Sequence, residues 1–136
     1  MSLRAHRVSI PPLIAIVDDD EAVREALSDL LLVEGFAAET FGGAIAFLTD
    51  PAPARFACLI TDVRMPEMDG IELQRRLRQR GSRLPVIVIT SLVDEAARAR
   101  AMAAGASAWF TKPFADDALL AALRAALDGG AEPAET

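Results

Sequence analysis

Short runs of consecutive apolar residues alternate along the chain with longer segments in which apolar residues recur every three or four positions. The clearest runs cover residues 13–17, 56–60 and 86–89. Apolar residues at consecutive positions are typical of strands that are covered on both faces, as in a parallel sheet. Residues 36–41 and 107–110 carry a weaker form of the same signal. The pattern therefore predicts five strands.

The segments after these runs have the periodicity and the end signals of helices. Asp69 and Asp94 are typical N-caps, and Asp20 is interpreted in the same way. Gly35 and Gly81 supply C-terminal stops. The predicted helices cover residues 21–34, 42–48 (the weakest signal), 69–81, 94–105 and 115–127.

Five repeats of strand followed by helix predict an α/β fold, a doubly wound parallel sheet with helices on both faces. A length of 136 residues favours one domain. We predict an N-terminal lead-in at 1–12, the domain at 13–128, and a tail or the start of a linker at 129–136.

Composition and charge exclude several classes of protein. A net charge of −6 is a poor match to a phosphate backbone, so direct nucleic-acid binding is not expected. No apolar run approaches the length of a membrane span, and no signal peptide is recognisable, so we expect a cytoplasmic protein without a membrane contact. Cys58 is the only cysteine, which excludes an intrachain disulfide and a cysteine-based zinc cluster.

Chemically suited polar residues lie at, or within two residues after, the ends of four predicted strands. Asp18 and Asp19 follow the first, Asp62 the third, Thr90 ends the fourth, and Lys112 follows the fifth. Ligands of such sheets bind beyond the carboxyl ends of the strands, so these side chains are expected at one rim. Side chains alternate along a strand, so Asp18 and Asp19 can converge only if the strand has ended there.

Carboxylates crowded at one rim repel one another unless a cation lies between them. Mg²⁺ suits an open cluster of acids, because it takes one or two carboxylates and keeps several waters. Zinc is disfavoured because the only histidine, His6, lies in the lead-in. A flavin phosphate is disfavoured because the first strand–helix turn is acidic.

Four motifs in this order closely resemble the receiver domains of bacterial two-component response regulators. They are Val17-Asp18-Asp19, Thr61-Asp62-Val63-Arg64-Met65-Pro66-Glu67-Met68-Asp69-Gly70, Ile89-Thr90-Ser91 and Thr111-Lys112-Pro113-Phe114. The likeness covers residues 13–127, and its details are similar to the nitrogen-fixation transcription regulators. It implies a flavodoxin-like five-stranded sheet of order 2-1-3-4-5.

The resemblance also implies residue roles. Asp62 would accept a phosphoryl group from a histidine kinase. Asp19 and Asp62 would bind Mg²⁺ directly, Asp18 through water, and Arg64 through its backbone carbonyl. Lys112 would counter the phosphoryl charge, and its peptide bond to the following proline would be cis.

A conformational switch is implied by the same resemblance. Thr90 would bond a phosphoryl oxygen, and Trp109 stands where the family carries the Tyr or Phe whose ring moves inward. Arg64 and Leu92 stand two residues after Asp62 and Thr90, where side chains influence access of water. Since neither is suited to orienting water, slow self-dephosphorylation is expected.

The leading hypothesis is therefore a phosphoacceptor signalling module and not an enzyme, with self-phosphorylation from small donors. Its expected partners are a histidine kinase, a second copy of the chain on phosphorylation, and a C-terminal DNA-binding output domain outside this sequence. Two alternatives remain open. One is a receiver-like binding module that is never phosphorylated. The other is a phosphohydrolase of the haloacid-dehalogenase type, although Arg64 stands where those enzymes place a second acid.

Overall fold

The alternation of apolar runs and amphipathic segments produces five strands and five α-helices in the computed structural model, which describes residues 10–129. The strands are β1 (Leu13–Val17), β2 (Ala37–Phe41), β3 (Cys58–Thr61), β4 (Val86–Thr90) and β5 (Ala108–Thr111). The helices are α1 (Glu21–Val33), α2 (Ala44–Leu48), α3 (Gly70–Gln79), α4 (Glu95–Ala103) and α5 (Asp116–Gly129). The prediction of a strand–helix repeat is confirmed.

All strand pairs of the described sheet are parallel, and the strand order is β2-β1-β3-β4-β5. This is the predicted order. β2 lies on one side of β1, whereas β3, β4 and β5 follow one another on its other side. The strand order therefore reverses between the neighbours β1 and β3. Their carboxyl ends form the crevice where ligands of such sheets bind.

Alternate residues of the central strands face opposite layers, which is why their apolar runs are continuous. One set packs with residues of α2, α3 and α4 and consists of Ala15, Val17, Leu59, Val86 and Val88. The other set packs with α1 and α5 and consists of Ile14, Ile16, Cys58, Ile60, Ile87 and Ile89. Each large aliphatic side chain buried in this way contributes about 1.5–3 kcal/mol. The two layers hold the strand ends in fixed register.

Cys58 is fully buried in this core. Burial raises the pKa of its thiol to about 12, so the group is protonated at neutral pH. No helix among residues 10–129 has the length and hydrophobicity that crossing a membrane would require.

The helix boundaries follow the predicted capping residues. The carboxylates of Asp20, Asp69 and Asp94 accept hydrogen bonds from backbone amides in the first turns of α1, α3 and α4. Gly35 and Gly81 have positive φ just beyond the ends of α1 and α3, where a side chain would be strained. Asp20 is therefore a cap and not a member of the acidic cluster.

The third strand differs from the prediction, which placed it at 56–60. It begins at Cys58 because Pro53–Arg55 form a short 3₁₀ helix that the sequence pattern did not reveal. Phe56 is buried without belonging to the strand, since its ring packs on Phe41 and Phe47. The other predicted ends of the strands and helices lie within two residues of the observed ones, and α5 runs two residues past its predicted end to Gly129.

Gln74 is a fully buried polar residue on α3 that the periodicity did not single out. Its Nε2 donates to the backbone oxygens of Ala101 and Ala104, at 3.3 and 3.2 Å. These oxygens lie in the last turn of α4 and at its C-cap, where carbonyls have no partner within the helix. Gln74 thus ties the end of α4, which buries only small alanines, to α3.

The predicted division into lead-in, domain and tail stays a prediction. Residues 1–9 and 130–136, including His6, lie outside the described residues.

Candidate acidic site at the carboxyl edge of the sheet

Asp18, Asp19 and Asp62 meet at the carboxyl ends of β1 and β3. One carboxylate oxygen from each lies within 4.8 Å of the others, and within residues 10–129 this is the one such group of three potential metal ligands. Asp18 is buried, Asp62 half-buried and Asp19 exposed. The cluster is therefore open to solvent on one side, and the expected convergence is observed.

Backbone hydrogen bonds explain why the acids converge. The amide of Asp18 donates to the oxygen of Phe41 at 3.2 Å, and the amide of Asp62 donates to the oxygen of Val17 at 3.1 Å. Both residues thus continue the pairing of the sheet one position beyond the strands. Asp19, one residue further, has left the sheet and brings its carboxylate back to the same side.

Asp18 carries the clearest electrostatic signature of the site. Burial is the largest cause and raises the pKa of its carboxyl above the ordinary value. A hydrogen bond from the Asp20 amide and, to a smaller extent, the Lys112 ammonium lower this pKa. The negative charges of Asp62 and, less strongly, Asp19 raise it further. Its Oδ1 accepts the Asp20 amide at 2.9 Å. Its Oδ2 is buried and has no hydrogen-bond partner among the described residues, with Lys112 Nζ at 3.7 Å.

These observations fit a bound divalent cation. A buried carboxylate oxygen without a hydrogen-bond partner is costly unless a water or a cation satisfies it. Three carboxylates within one cluster supply the oxygen ligands that Mg²⁺ prefers, and the open side leaves room for its waters. The chemistry of Asp18, Asp19 and Asp62 thus suits Mg²⁺.

Contacts within the loop after β3 fix the backbone of Asp62. The hydroxyl of Thr61 donates to the Asp62 carbonyl oxygen at 2.9 Å, and the Val63 amide donates to Asp62 Oδ1 at 2.7 Å. The amide of Gly70 donates to the Val63 oxygen at 2.9 Å. A Cβ at Gly70 would overlap the Asp62 carbonyl oxygen. The start of α3 therefore packs directly on the peptide that carries the Asp62 side chain.

The other predicted residues surround this cluster to different degrees. Lys112 is half-buried, and its amide donates to the Thr90 oxygen at 2.7 Å, which joins the ends of β4 and β5. The Thr90 side chain is buried, and its hydroxyl oxygen accepts the Leu92 amide at 3.1 Å. The Lys112–Pro113 bond is cis, as the resemblance implies.

Trp109 and Arg64 are not part of the carboxylate cluster. Trp109 pairs with Val88 in the sheet and is half-buried against the layer of α2, α3 and α4. The Arg64 side chain is exposed two residues after Asp62. The structure thus brings together the three acids and the Lys112 ammonium, and places Thr90 at the adjacent strand end.

Two residues of this region escaped the sequence analysis. Gly70 follows the N-cap Asp69 at a helical position where alanine would be the better helix former. This unfavourable glycine was the sequence signal that could have indicated a close backbone contact there. Arg24 donates from α1 to the backbone oxygen of Asp18 at 2.7 Å. Its position among charged residues of a surface helix gave no signal.

A parallel sheet of order β2-β1-β3-β4-β5 with helices on both faces and a cluster of acids at its carboxyl edge defines the class of flavodoxin-like domains. Residues 14–124 match the family model of the response regulator receiver domain. This is most of the chain, and the protein therefore belongs to the receiver domains of two-component response regulators, which act in phosphorelay signalling.

Curated relatives agree with this family. The response regulator TodT of Pseudomonas putida is 47% identical over 115 residues, which are 85% of this chain and 51% of TodT. The transcriptional regulatory protein FixJ of Azorhizobium caulinodans is 44% identical over 117 residues, 86% of this chain and 56% of FixJ. The chain thus spans about half the length of the curated relatives it matches.

Solved structures show the same fold. The crystal structure of FixJ-N is similar with a TM-score of 0.79 and 37% identity, over 88% of this chain and 96% of that one. The response regulator StyR is similar with a TM-score of 0.83 and 43% identity, over 90% of this chain and 62% of that one. Receiver domains bind Mg²⁺ at an acidic pocket, and the aspartate cluster has the composition of one.

Proposed function

We propose that Asp62 accepts the phosphoryl group and that Mg²⁺ is held directly by Asp19, Asp62 and the backbone carbonyl of Arg64, and through a water by Asp18. The observation that carries this proposal is the meeting of three carboxylates within 4.8 Å at the carboxyl edge of the sheet. Lys112 Nζ lies 3.7 Å from the buried Asp18 Oδ2, so a cationic group borders the cluster.

The donor in this proposal is a phosphohistidine of a histidine kinase. A bond forms between a carboxylate oxygen of Asp62 and phosphorus while the phosphorus–nitrogen bond breaks, and the imidazole keeps the electron pair. Asp62 needs no general base because the attacking group is already an anion. Mg²⁺, when bound, neutralises charge on the transferred group. Lys112 balances the remaining negative charge as a compact ammonium, and the Thr90 hydroxyl hydrogen-bonds a phosphoryl oxygen.

Phosphorylation would then shift a two-state equilibrium and change which partner the domain binds. We propose two consequences, formation of a homodimer and control of a DNA-binding output domain that follows in a longer protein. The second is supported by the transcriptional regulatory relatives, of which the matched segment covers about half. An acidic receiver would not itself contact DNA, and the expected cytoplasmic location stays a prediction.

The alternatives are weaker on the residues present. A module that is never phosphorylated has no use for Asp62, Lys112 and Thr90 at adjoining strand ends. A phosphohydrolase of the haloacid-dehalogenase type needs a second acid where Arg64 stands, and the Arg64 side chain is exposed. Slow loss of the phosphoryl group is also expected, because neither Arg64 nor Leu92 has a side chain suited to orienting a water.

The proposal is tested by incubating the protein with acetyl phosphate and MgCl₂ and recording its intact mass. We expect a mass increase of one phosphoryl group, and no increase when a chelator replaces the Mg²⁺. Size-exclusion chromatography of the same samples reports whether a dimer forms. An unchanged mass under saturating donor and Mg²⁺ would contradict the proposed phosphoacceptor role.

Trp109 offers an optical test of the proposed switch. It is the only tryptophan and is half-buried on the last strand, so a rearrangement of β5 changes its environment directly. We expect its emission to change when acetyl phosphate is added to the Mg²⁺-bound protein. The change should be absent in Asp62→Asn. If the emission stays constant while the intact mass shows phosphorylation, Trp109 contributes only to packing and has no part in the switch.

A further inference from the structure

Arg24 lies in the first turn of α1, beside the acidic cluster but not in it. Its Nη1 donates to the backbone oxygen of Asp18 at 2.7 Å, and its side chain is half-buried. Glu21 and Glu25 lie nearby on the same helix, yet none of the ion pairs formed within residues 10–129 includes Arg24. The contact that distinguishes this arginine from a solvated surface residue is therefore the bond to a backbone carbonyl.

The dipole of α1 disfavours a cation at this position, although several carboxylates lie nearby. The amino end of a helix carries partial positive charge and favours anions. The first turn of α1 follows this rule with Asp20 as N-cap and Glu21 beside it. Arg24 breaks the rule, and its charge-assisted hydrogen bond to the Asp18 oxygen offsets that cost.

The bond acts on the peptide that joins two acids of the cluster. The Asp18 carbonyl and the Asp19 amide share one rigid plane, so the carbonyl's direction helps set where the Asp19 side chain leaves the backbone. In a regular strand, Asp18 and Asp19 would face opposite sides. Both nevertheless contribute an oxygen to the cluster. The peptide is turned away from strand geometry, and Arg24 holds its oxygen.

We propose that Arg24 is a positioning residue for the cation site, holding the Asp18–Asp19 peptide so that both carboxylates face Asp62. The inference rests on the proposed function, because it assigns Arg24 a part in binding the Mg²⁺ proposed there. Two further bonds complete the arrangement. The Asp18 amide donates to Phe41, and the Asp20 amide donates to Asp18 Oδ1.

A positioning role and a simple charge effect predict opposite changes in Mg²⁺ affinity when Arg24 is removed. A guanidinium near a cation site repels the cation, so if charge alone mattered, removing Arg24 would tighten Mg²⁺ binding. If Arg24 sets the geometry, its removal weakens binding although a repulsive charge is gone. The sign of the change in affinity therefore separates the two roles.

The test is isothermal titration calorimetry with MgCl₂, using the wild type, Arg24→Ala, Arg24→Gln and Arg24→Lys. Removal of outer partners that orient metal ligands costs about 10–100-fold in affinity, so we expect Arg24→Ala to bind Mg²⁺ at least about 10-fold more weakly. Arg24→Gln and Arg24→Lys keep a donor and should recover part of the loss. Arg98→Ala, which removes an exposed arginine of α4, should leave the affinity unchanged.

The outcomes are distinguishable. Equal or tighter Mg²⁺ binding by Arg24→Ala overturns the positioning role while leaving the proposed function intact. If Arg24→Ala does not fold, the comparison passes to Arg24→Gln, where binding at least as tight as in the wild type overturns the role equally. A wild type that binds no Mg²⁺ overturns the proposed function, and this inference with it.

Discussion

Asp62→Asn is expected to reduce phosphoryl uptake from acetyl phosphate below detection by intact mass. The amide has nearly the shape of the carboxylate, but it is neutral, a poor nucleophile and a weaker ligand for Mg²⁺. It can still accept the Val63 amide through its oxygen, so the loop after β3 keeps its hydrogen bond. The loss should therefore be chemical and not a consequence of unfolding.

Asp117→Asn is the matched control, since Asp117 is an exposed aspartate in the first turn of α5. It should take up one phosphoryl group as the wild type does. Uptake by Asp62→Asn at the wild-type rate would show that another residue is the acceptor, and peptide mapping of the modified protein would then identify it.

Asp62→Asn should also stabilise the protein in buffer without Mg²⁺. The three carboxylates have oxygens within 4.8 Å of one another, and each like-charge pair costs about 1 kcal/mol even when well screened by water. Thermal unfolding of the variant in a chelator should therefore occur a few degrees above that of the wild type. Adding Mg²⁺ should raise the wild-type midpoint more, since a ligand at 100 times its Kd stabilises by about 2.7 kcal/mol. A lower midpoint for the variant in the chelator would contradict the repulsion.

The meeting of the acids could be predicted because it depends on two rules of parallel sheets. Strands that are buried on both faces are recognisable by consecutive apolar residues, and their carboxyl ends share one edge. Asp18 follows the first run directly and Asp62 follows the third run after one residue. Locating the strand ends to within two residues was therefore enough to place the two acids together. The caps at Asp69 and Asp94 were predictable for a similar reason, since they depend on local backbone amides.

Side-chain contacts between different elements were not predictable from these rules. The bond from Arg24 to Asp18 and the bond from Gln74 to the end of α4 depend on the exact separation of two elements. Periodicity places Gln74 near Leu73 and Leu77, but it does not reveal that carbonyls of α4 end beside it. The 3₁₀ helix at Pro53–Arg55 was hidden because the buried Phe56 made the apolar run after it look longer than the strand.

Gly70→Ala is expected to be strongly destabilising, and the reason lies outside helix propensity. Gly70 begins α3 with an ordinary negative φ, so its backbone conformation is open to alanine. A Cβ there would overlap the carbonyl oxygen of Asp62 and press on the Thr61 hydroxyl. The first of these is a backbone atom held by a hydrogen bond from Thr61, and it cannot move without displacing the peptide that carries the Asp62 side chain.

The expected cost is at the upper end of the range for overpacked sites, about 3 kcal/mol, which lowers the unfolding midpoint by about 10 °C. Because the displaced peptide bears Asp62, the variant should also take up phosphoryl more slowly at temperatures where it remains folded. Gly129→Ala is the control, since a Cβ at Gly129 meets no atom within 4 Å and the residue lies in the last turn of α5. It should change the midpoint by less than about 2 °C. Thermal unfolding followed by circular dichroism measures the midpoint of each variant. Intact-mass assays, run about 20 °C lower than that midpoint, measure the rate of phosphoryl uptake. A Gly70→Ala protein with wild-type stability would show that α3 can move away from β3 without cost.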